Sequence, residues 1–222
     1  VTKYHDFECD FLELMMRPNL LFSVLGLYLL AEASAAQCVL LSDPLDGLRT
    51  PFFVVEGNRP VKLEPAFEDY QYMLWDTCDA IGLHVADCSY PVLMGDIDFN
   101  AAAALCPVAG EVIIYDRRLS AEVGGDGAQI IIAHELAHIR CGHLTEAASS
   151  FDQSMLQELE ADRFAGAAMA RMGQSRESLE FVLPLLSKQP SLSHPSREAR
   201  REALETGFDA PENFLCRHIG QP

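Results

Sequence analysis

Residues 128–139 run Ala-Gln-Ile-Ile-Ile-Ala-His-Glu-Leu-Ala-His-Ile, without proline or glycine. They are apolar on nearly every side, which predicts a helix buried in a core rather than lying on a surface. A second long helix is predicted over residues 152–171. Advancing about 100° per residue places Met155, Glu158, Ala161, Asp162, Ala165, Met169 and Met172 on one stripe. Glu160 falls on the opposite side, near Arg163, where a solvated i,i+3 pair is the natural reading. Phe67, Tyr70, Leu74, Cys78 and Ile81 form a third helical stripe, read as core. Val112 to Tyr115 is the clearest strand, with 83–86 and 92–94 as further candidates. Residues 52–55 and 61–63, separated by Glu-Gly-Asn-Arg-Pro, read as a hairpin. Gly124 to Gly127 reads as a flexible turn before the first helix, and 178–186 and 195–204 as late helices. The expected architecture is α+β: one helix-rich domain with a small mixed sheet.

The N-terminal segment changes the expected compartment. Arg17 and Pro18 precede an apolar run from Leu20 to Ala31, followed by Ala33-Ser34-Ala35. A basic start, a dozen apolar residues and a small-x-small site fit a secretory signal. On this reading residues 1–35 are an extension plus signal, and 36–222 form the folded domain. A membrane anchor through the same run, or a buried core helix, is the alternative. Beyond Cys9, six cysteines remain (Cys38, Cys78, Cys88, Cys106, Cys141 and Cys216), which agrees with export and disulfides but leaves the pairing open. A periplasmic or secreted protein is the expectation, with free thiols in a cytosolic enzyme as the alternative.

The apolar helix carries His134-Glu135-Leu136-Ala137-His138. Residues four apart lie one turn apart on one face, so His134 and His138 can hold one Zn²⁺, with Glu135 reaching an adjacent water as general base. Buried imidazoles and a carboxylate would be costly there without a partner. A catalytic zinc needs a third protein ligand and an open position. His143 lies too early for the long three-histidine signature, which requires Gly and His where this chain has Cys141 and Leu144. It therefore reads as a structural residue after Gly142 ends the helix. Glu158 and Asp162 interrupt an apolar face one turn apart. Glu158 as third ligand, with Asp162 orienting a zinc histidine, gives both a role; an internal salt bridge is the alternative.

With these residues in view, the chain resembles the HtpX-type zinc metallopeptidases, a family that includes the CAAX prenyl endopeptidases and BepA-like proteases. The resemblance rests on Asn100-Ala-Ala-Ala with the strand at 111–119, on His134 to His138, on Glu158-Leu-Glu-Ala-Asp162, and on His194-Pro195 with Arg200 six residues after the histidine. These span residues 98–205, about half the chain. The resemblance implies a gluzincin fold with one zinc per chain and a sheet edge that aligns peptide substrate. It also implies that His194 gates the metal as a fourth ligand, and that Arg200 polarises the scissile carbonyl. The Glu-x-Glu-Ala-x-x-Phe-Ala run is similar to the ImmA/IrrE-type regulatory zinc peptidases as well.

A formal net charge of −17 argues against nucleic acid and against an anionic membrane surface as partners. Proteins or peptides are the expected substrates, with envelope quality control as the setting implied by the resemblance. A zinc-stabilised, chaperone-like binding module without proteolysis is the alternative of a different class. The presence of Glu135 argues against it, since a purely structural metal has no use for that carboxylate.

Overall fold

Val112, Ile113, Ile114 and Tyr115 are all completely buried, and their side chains alternate between two apolar clusters. That alternation is the period-two geometry of a strand covered on both faces. The computed structural model describes residues 37–42, 49–55, 59–107, 109–145, 148, 150–213 and 216. The N-terminal signal or anchor segment lies outside the described residues.

Three strands, β1 (Gln37–Ser42), β2 (Arg49–Val55) and β3 (Arg59–Lys62), form an antiparallel sheet in that order. The expected hairpin is β2 and β3, with Phe53 opposite Val61. A second sheet holds β4 (Glu64–Pro65), β5 (Val92–Met94), β6 (Ala101–Cys106) and β7 (Gly110–Tyr115) in the order β4-β5-β7-β6. It is mixed: β5 runs parallel to β7, while β4 and β6 run antiparallel to their neighbours. On one face Val112 and Ile114 pack with Val61, Leu63, Leu93 and Ala104. On the other, Ile113 and Tyr115 face the helices.

Those helices are α1 (Glu68–Ala80), α2 (Leu119–Arg140), α3 (Phe151–Arg171) and α4 (Arg197–Asp209). The protein is thus mixed helix and sheet, as the pattern predicts. The α1 stripe buries Tyr70, Leu74 and Cys78, whereas Phe67 sits at the N-cap and is 61% exposed. Gln129 fastens α2 to α1, donating through Nε2 to the Met73 carbonyl and the Thr77 hydroxyl, each at 2.7 Å. The glycine run expected as a turn before this helix lies inside α2 and is helical except at Gly124, whose φ of 65° breaks the helix once. A left-handed φ costs glycine little, so the break falls there.

Two expected elements differ. Residues 83–86 form no strand; Val85–Asp87 is a 3-10 turn in which the Ala86 N–H donates to His84 Nδ1. The expected helix over 178–186 is instead two 3-10 segments, Arg176–Phe181 and Leu183–Leu185. Pro184 supplies no N–H, which stops an α-helix from continuing.

Disulfides join Cys78 to Cys88 and Cys141 to Cys216, and Cys106 is disulfide-bonded as well. The two pairs point to an oxidising environment. Among the described residues, no helix is long and apolar enough to cross a membrane.

Candidate metal centre

The core position of α2 brings His134, Glu135 and His138 into the interior, and α3 crosses it with Glu158 and Asp162 turned inward. His134 and Glu135 are each 7% exposed and Asp162 2%. His134 Nε2 lies 3.1 Å from His138 Nε2. Glu158 closes the triangle, with Oε2 3.5 Å from His134 Nε2 and Oε1 3.5 Å from His138 Nε2. Ligands about 2.0–2.1 Å from a tetrahedral zinc stand about 3.3 Å from one another. The three donors therefore already have the spacing of one face of such a tetrahedron. Glu158 Oε2 is buried and has no hydrogen-bond partner. A buried carboxylate oxygen without a donor is costly, and a cation between it and the two imidazoles removes the cost. The residues present thus fit a divalent metal.

Each imidazole is held from behind. His134 Nδ1 is 2.9 Å from Asp162 Oδ1. Asp162 in turn accepts from Arg200, through Nε to Oδ2 and Nη2 to Oδ1, both at 2.8 Å. This fork-to-carboxylate geometry fixes both side chains. Arg200, expected to polarise a substrate carbonyl, has its Nε and Nη2 bonded to Asp162 and also lines the cleft described below. Burial raises the cost of ionising Asp162, but Arg200 and His134 outweigh it and hold its pKa below the usual range. Burial also opposes a charged His134, yet Asp162 prevails and lifts its pKa to about 10. Burial, with the neighbouring His134, pushes His138 down to about 3.

Glu135 stands beside this set and accepts a 2.7 Å hydrogen bond from the Ala103 N–H. Its register explains the contact. Asn100 turns its carbonyl to the Asp116 N–H at the end of β7. Alternate residues of an antiparallel strand point their backbone groups to opposite sides, so Ala101, Ala103 and Leu105 point away from β7. Burial pushes the Glu135 pKa up, and Glu158 adds to the rise against the opposing pull of His134.

A cleft of about 230 Å³ reaches His134, Glu135 and Asp162 of this set, while His138 and Glu158 lie behind its lining. Leu119, Ile130, Ile131, Val182, Leu185 and Leu186 give it apolar walls, and His194 and Arg200 also line it. His194 Nε2 is 3.5 Å from Glu158 Oε2, but His194 is not part of the mutually close donor set of His134, His138 and Glu158. Its side chain is 42% exposed. Ser191 and Ser193 hold the turn, with Ser193 Oγ 2.8 Å from His194 Nδ1.

Two residues take positions that the helical wheel did not give them. Glu160 was expected in solvent beside Arg163. Its side chain is only 15% exposed and Oε2 lies 3.3 Å from His143 Nε2. Helix α3 packs against both α2 and α4, so it has two buried sides where the wheel shows one. His143 was expected as a structural residue; its ring stacks edge-on against His138, with Nδ1 atoms 2.9 Å apart. The signal for both was the third histidine following closely on His138.

No family model, curated protein or solved structure matches the chain.

Proposed function

We propose that this protein is a zinc-dependent endopeptidase of the gluzincin type, with His134, His138 and Glu158 as metal ligands and Glu135 as general base. The observation that carries the reading is the approach of His134 Nε2 and His138 Nε2 to the two oxygens of the Glu158 carboxylate, of which Oε2 is buried without a hydrogen bond. Bound there, zinc would supply Lewis acidity to a carbonyl and lower the pKa of water.

The remaining chemistry belongs to the chain. Glu135, one residue past a ligand and raised in pKa by burial, takes the proton of the attacking water and returns it to the leaving nitrogen. Its bond from the Ala103 N–H fixes the carboxylate at the end of the sheet. Strand β6 ends the order of its sheet, and an extended peptide laid along it beside Glu135 would have to displace the bonds that its Ala101 and Ala103 N–H groups make to Asn100 Oδ1 and Glu135. Asp162 and Arg200 keep His134 oriented, so that Nε2 faces His138 and Glu158, where the three would hold the metal. His194 stands over Glu158 from the cleft lining and serves as a gate that must withdraw when substrate arrives. The resemblance to HtpX-type peptidases favours protein substrates, and the disulfides favour a periplasmic or secreted site of action.

The test is purified protein assayed for metal content and for cleavage of casein and a peptide library, with and without chelator. One zinc per chain and chelator-sensitive cleavage are expected. Glu135→Gln should keep the zinc and lose turnover by several orders of magnitude, because it removes the base and not a ligand. Cleavage that persists in chelator, or a Glu135→Gln variant of normal rate, refutes the mechanism. Zinc binding without any cleavage in the wild type would leave the binding-module alternative.

A further inference from the structure

His143 and Glu160 are not in the cleft lining. Glu160 instead borders a separate cavity of about 160 Å³, together with Cys141 and Cys216. Cys141, His143 and Glu160 bring donor-type atoms within 4.8 Å of one another. The Cys141 sulfur is bonded to Cys216, however, so the trio is not a second metal site in the oxidised protein. A different role follows from the hydrogen positions that the contacts require.

His138 and His143 approach through their Nδ1 atoms at 2.9 Å. A hydrogen bond there needs one nitrogen with a proton and one without. His138 Nε2 faces His134 and Glu158, and a metal ligand must present a bare lone pair. Neutral His138 then carries its proton on Nδ1, and His143 Nδ1 must accept it. Neutral His143 consequently carries its own proton on Nε2, which donates to Glu160 Oε2 at 3.3 Å. A single protonation pattern satisfies all three groups, and it is the one that leaves His138 Nε2 open.

We propose that His143 and Glu160 are positioning residues for the metal: an imidazole-to-imidazole-to-carboxylate relay that fixes the tautomer and ring angle of His138. It parallels the direct Asp162 contact to His134 but reaches one ring further. The backbone supports it. Gly142, with φ of 75°, turns the chain so that the His143 N–H bonds the His138 carbonyl at 3.0 Å. The Cys141–Cys216 disulfide ties down the same turn. His143 is 6% exposed at its side chain, so water does not replace Glu160 as its acceptor without rearrangement.

This inference rests on the metal reading above, and the experiment separates the two. Zinc affinity is measured by competition with a chromophoric chelator for the wild type, His143→Ala, His143→Asn, Glu160→Ala and Glu160→Gln, with melting of each metal-free protein as the fold control. His143→Ala should weaken zinc about 10- to 100-fold, the usual effect of losing a group that orients a ligand. His143→Asn should recover most of that loss, because its amide oxygen can accept near the Nδ1 position. Glu160→Ala should weaken zinc as well, while Glu160→Gln should retain most of the affinity, since its carbonyl oxygen accepts the same N–H. A purely structural role would not separate the conservative replacements from the alanines at equal metal-free stability. Zinc affinity in His143→Ala within about twofold of wild type overturns the relay. So do equal losses in His143→Asn and His143→Ala. Where His143→Ala does not fold, the Glu160 pair decides: loss confined to alanine upholds the relay, and equal loss or no loss overturns it. A wild type that binds no zinc overturns the metal reading itself.

Discussion

Gly207→Ala should disrupt the Asp162–Arg200 pair without touching either residue. Helices α3 and α4 meet at two glycines. A Cβ on Gly207 would stand 1.9 Å from the Arg163 carbonyl oxygen, and one on Gly166 would stand 1.9 Å from the Leu204 carbonyl oxygen. Real Cβ atoms essentially never come within 3.0 Å of a heavy atom, so the backbones must part by about 1 Å. Overpacking of this kind costs about 1–3 kcal/mol by itself. The same displacement stretches the 2.8 Å bonds between Arg200 on α4 and Asp162 on α3 beyond hydrogen-bonding range. Asp162 is almost wholly buried, and complete loss of a partner for such a charge costs about 3–5 kcal/mol. Asp162 keeps His134, so part of that second cost is avoided, and a total near 3–4 kcal/mol is expected. Urea unfolding with unchanged slope measures it, and zinc affinity should fall in parallel. Gly125→Ala is the control, because nothing lies within 4 Å of its added Cβ. There the ordinary helix preference for alanine over glycine should stabilise by up to about 1 kcal/mol. Should Gly207→Ala behave like Gly125→Ala, the close approach of the two helices is wrong.

Three further outcomes are expected. Asp116 accepts from the Ile97, Phe99 and Arg118 backbone N–H groups and from the Arg118 side chain. Burial works to raise its pKa, but those donors, led by Arg118, hold it below the ordinary 3.8. A depressed carboxylate stabilises the fold fully above its unfolded pKa, and the contribution fades as pH falls through the lower folded value. Unfolding free energy should therefore drop below about pH 4 in the wild type and drop less in Asp116→Asn; equal slopes in both would rule out this assignment. Cys216→Ser opens a disulfide of sequence separation 75 and should cost about 4 kcal/mol, read as a lower urea midpoint; an unchanged midpoint would contradict the pairing. His194→Ala should leave zinc bound and raise the rate on small peptides if His194 gates the cleft, and an unaltered rate would remove that role.

The convergence of His134, His138 and Glu158 was legible because its signals are local. His134 and His138 are one turn apart on a helix too apolar to carry them idly, and Glu158 and Asp162 break an apolar stripe in the same way. The same wheel placed Glu160 in solvent. A wheel assumes one buried side, whereas α3 has two, and only the arrangement of α2 and α4 around it reveals the second. His143 was set aside because it fails a known three-histidine spacing. Its partnership with His138 depends on the left-handed turn at Gly142, which spacing alone does not specify. Among the other elements, β7 was clear from four consecutive buried apolar residues. The 3-10 segments over 176–185 share the apolar rhythm of a helix, so periodicity does not tell them apart.

Charge gives the strongest physical reason for a cation at the centre. Glu135, Glu158 and Asp162 are three buried or nearly buried carboxylates around the two imidazoles, and Arg200 is the guanidinium bonded among them. If all are ionised, the cluster carries an excess of two negative charges in a medium that solvates charge poorly. Protonation relieves part of this, which is why burial drives Glu135 up and Asp162 draws a proton onto His134. Protonated His134 turns its Nε2–H towards Glu158 Oε2, but at 3.5 Å the contact is too long for a good hydrogen bond. A divalent cation does both: it cancels the excess and occupies the point on which His134 Nε2, His138 Nε2 and Glu158 converge. It must displace the His134 proton to do so, and Asp162 then accepts from Nδ1–H while Nε2 faces the metal. The arrangement thus favours a doubly charged ion over a singly charged one, and nitrogen with a single carboxylate over an all-oxygen cage. That donor set suits zinc better than calcium or magnesium.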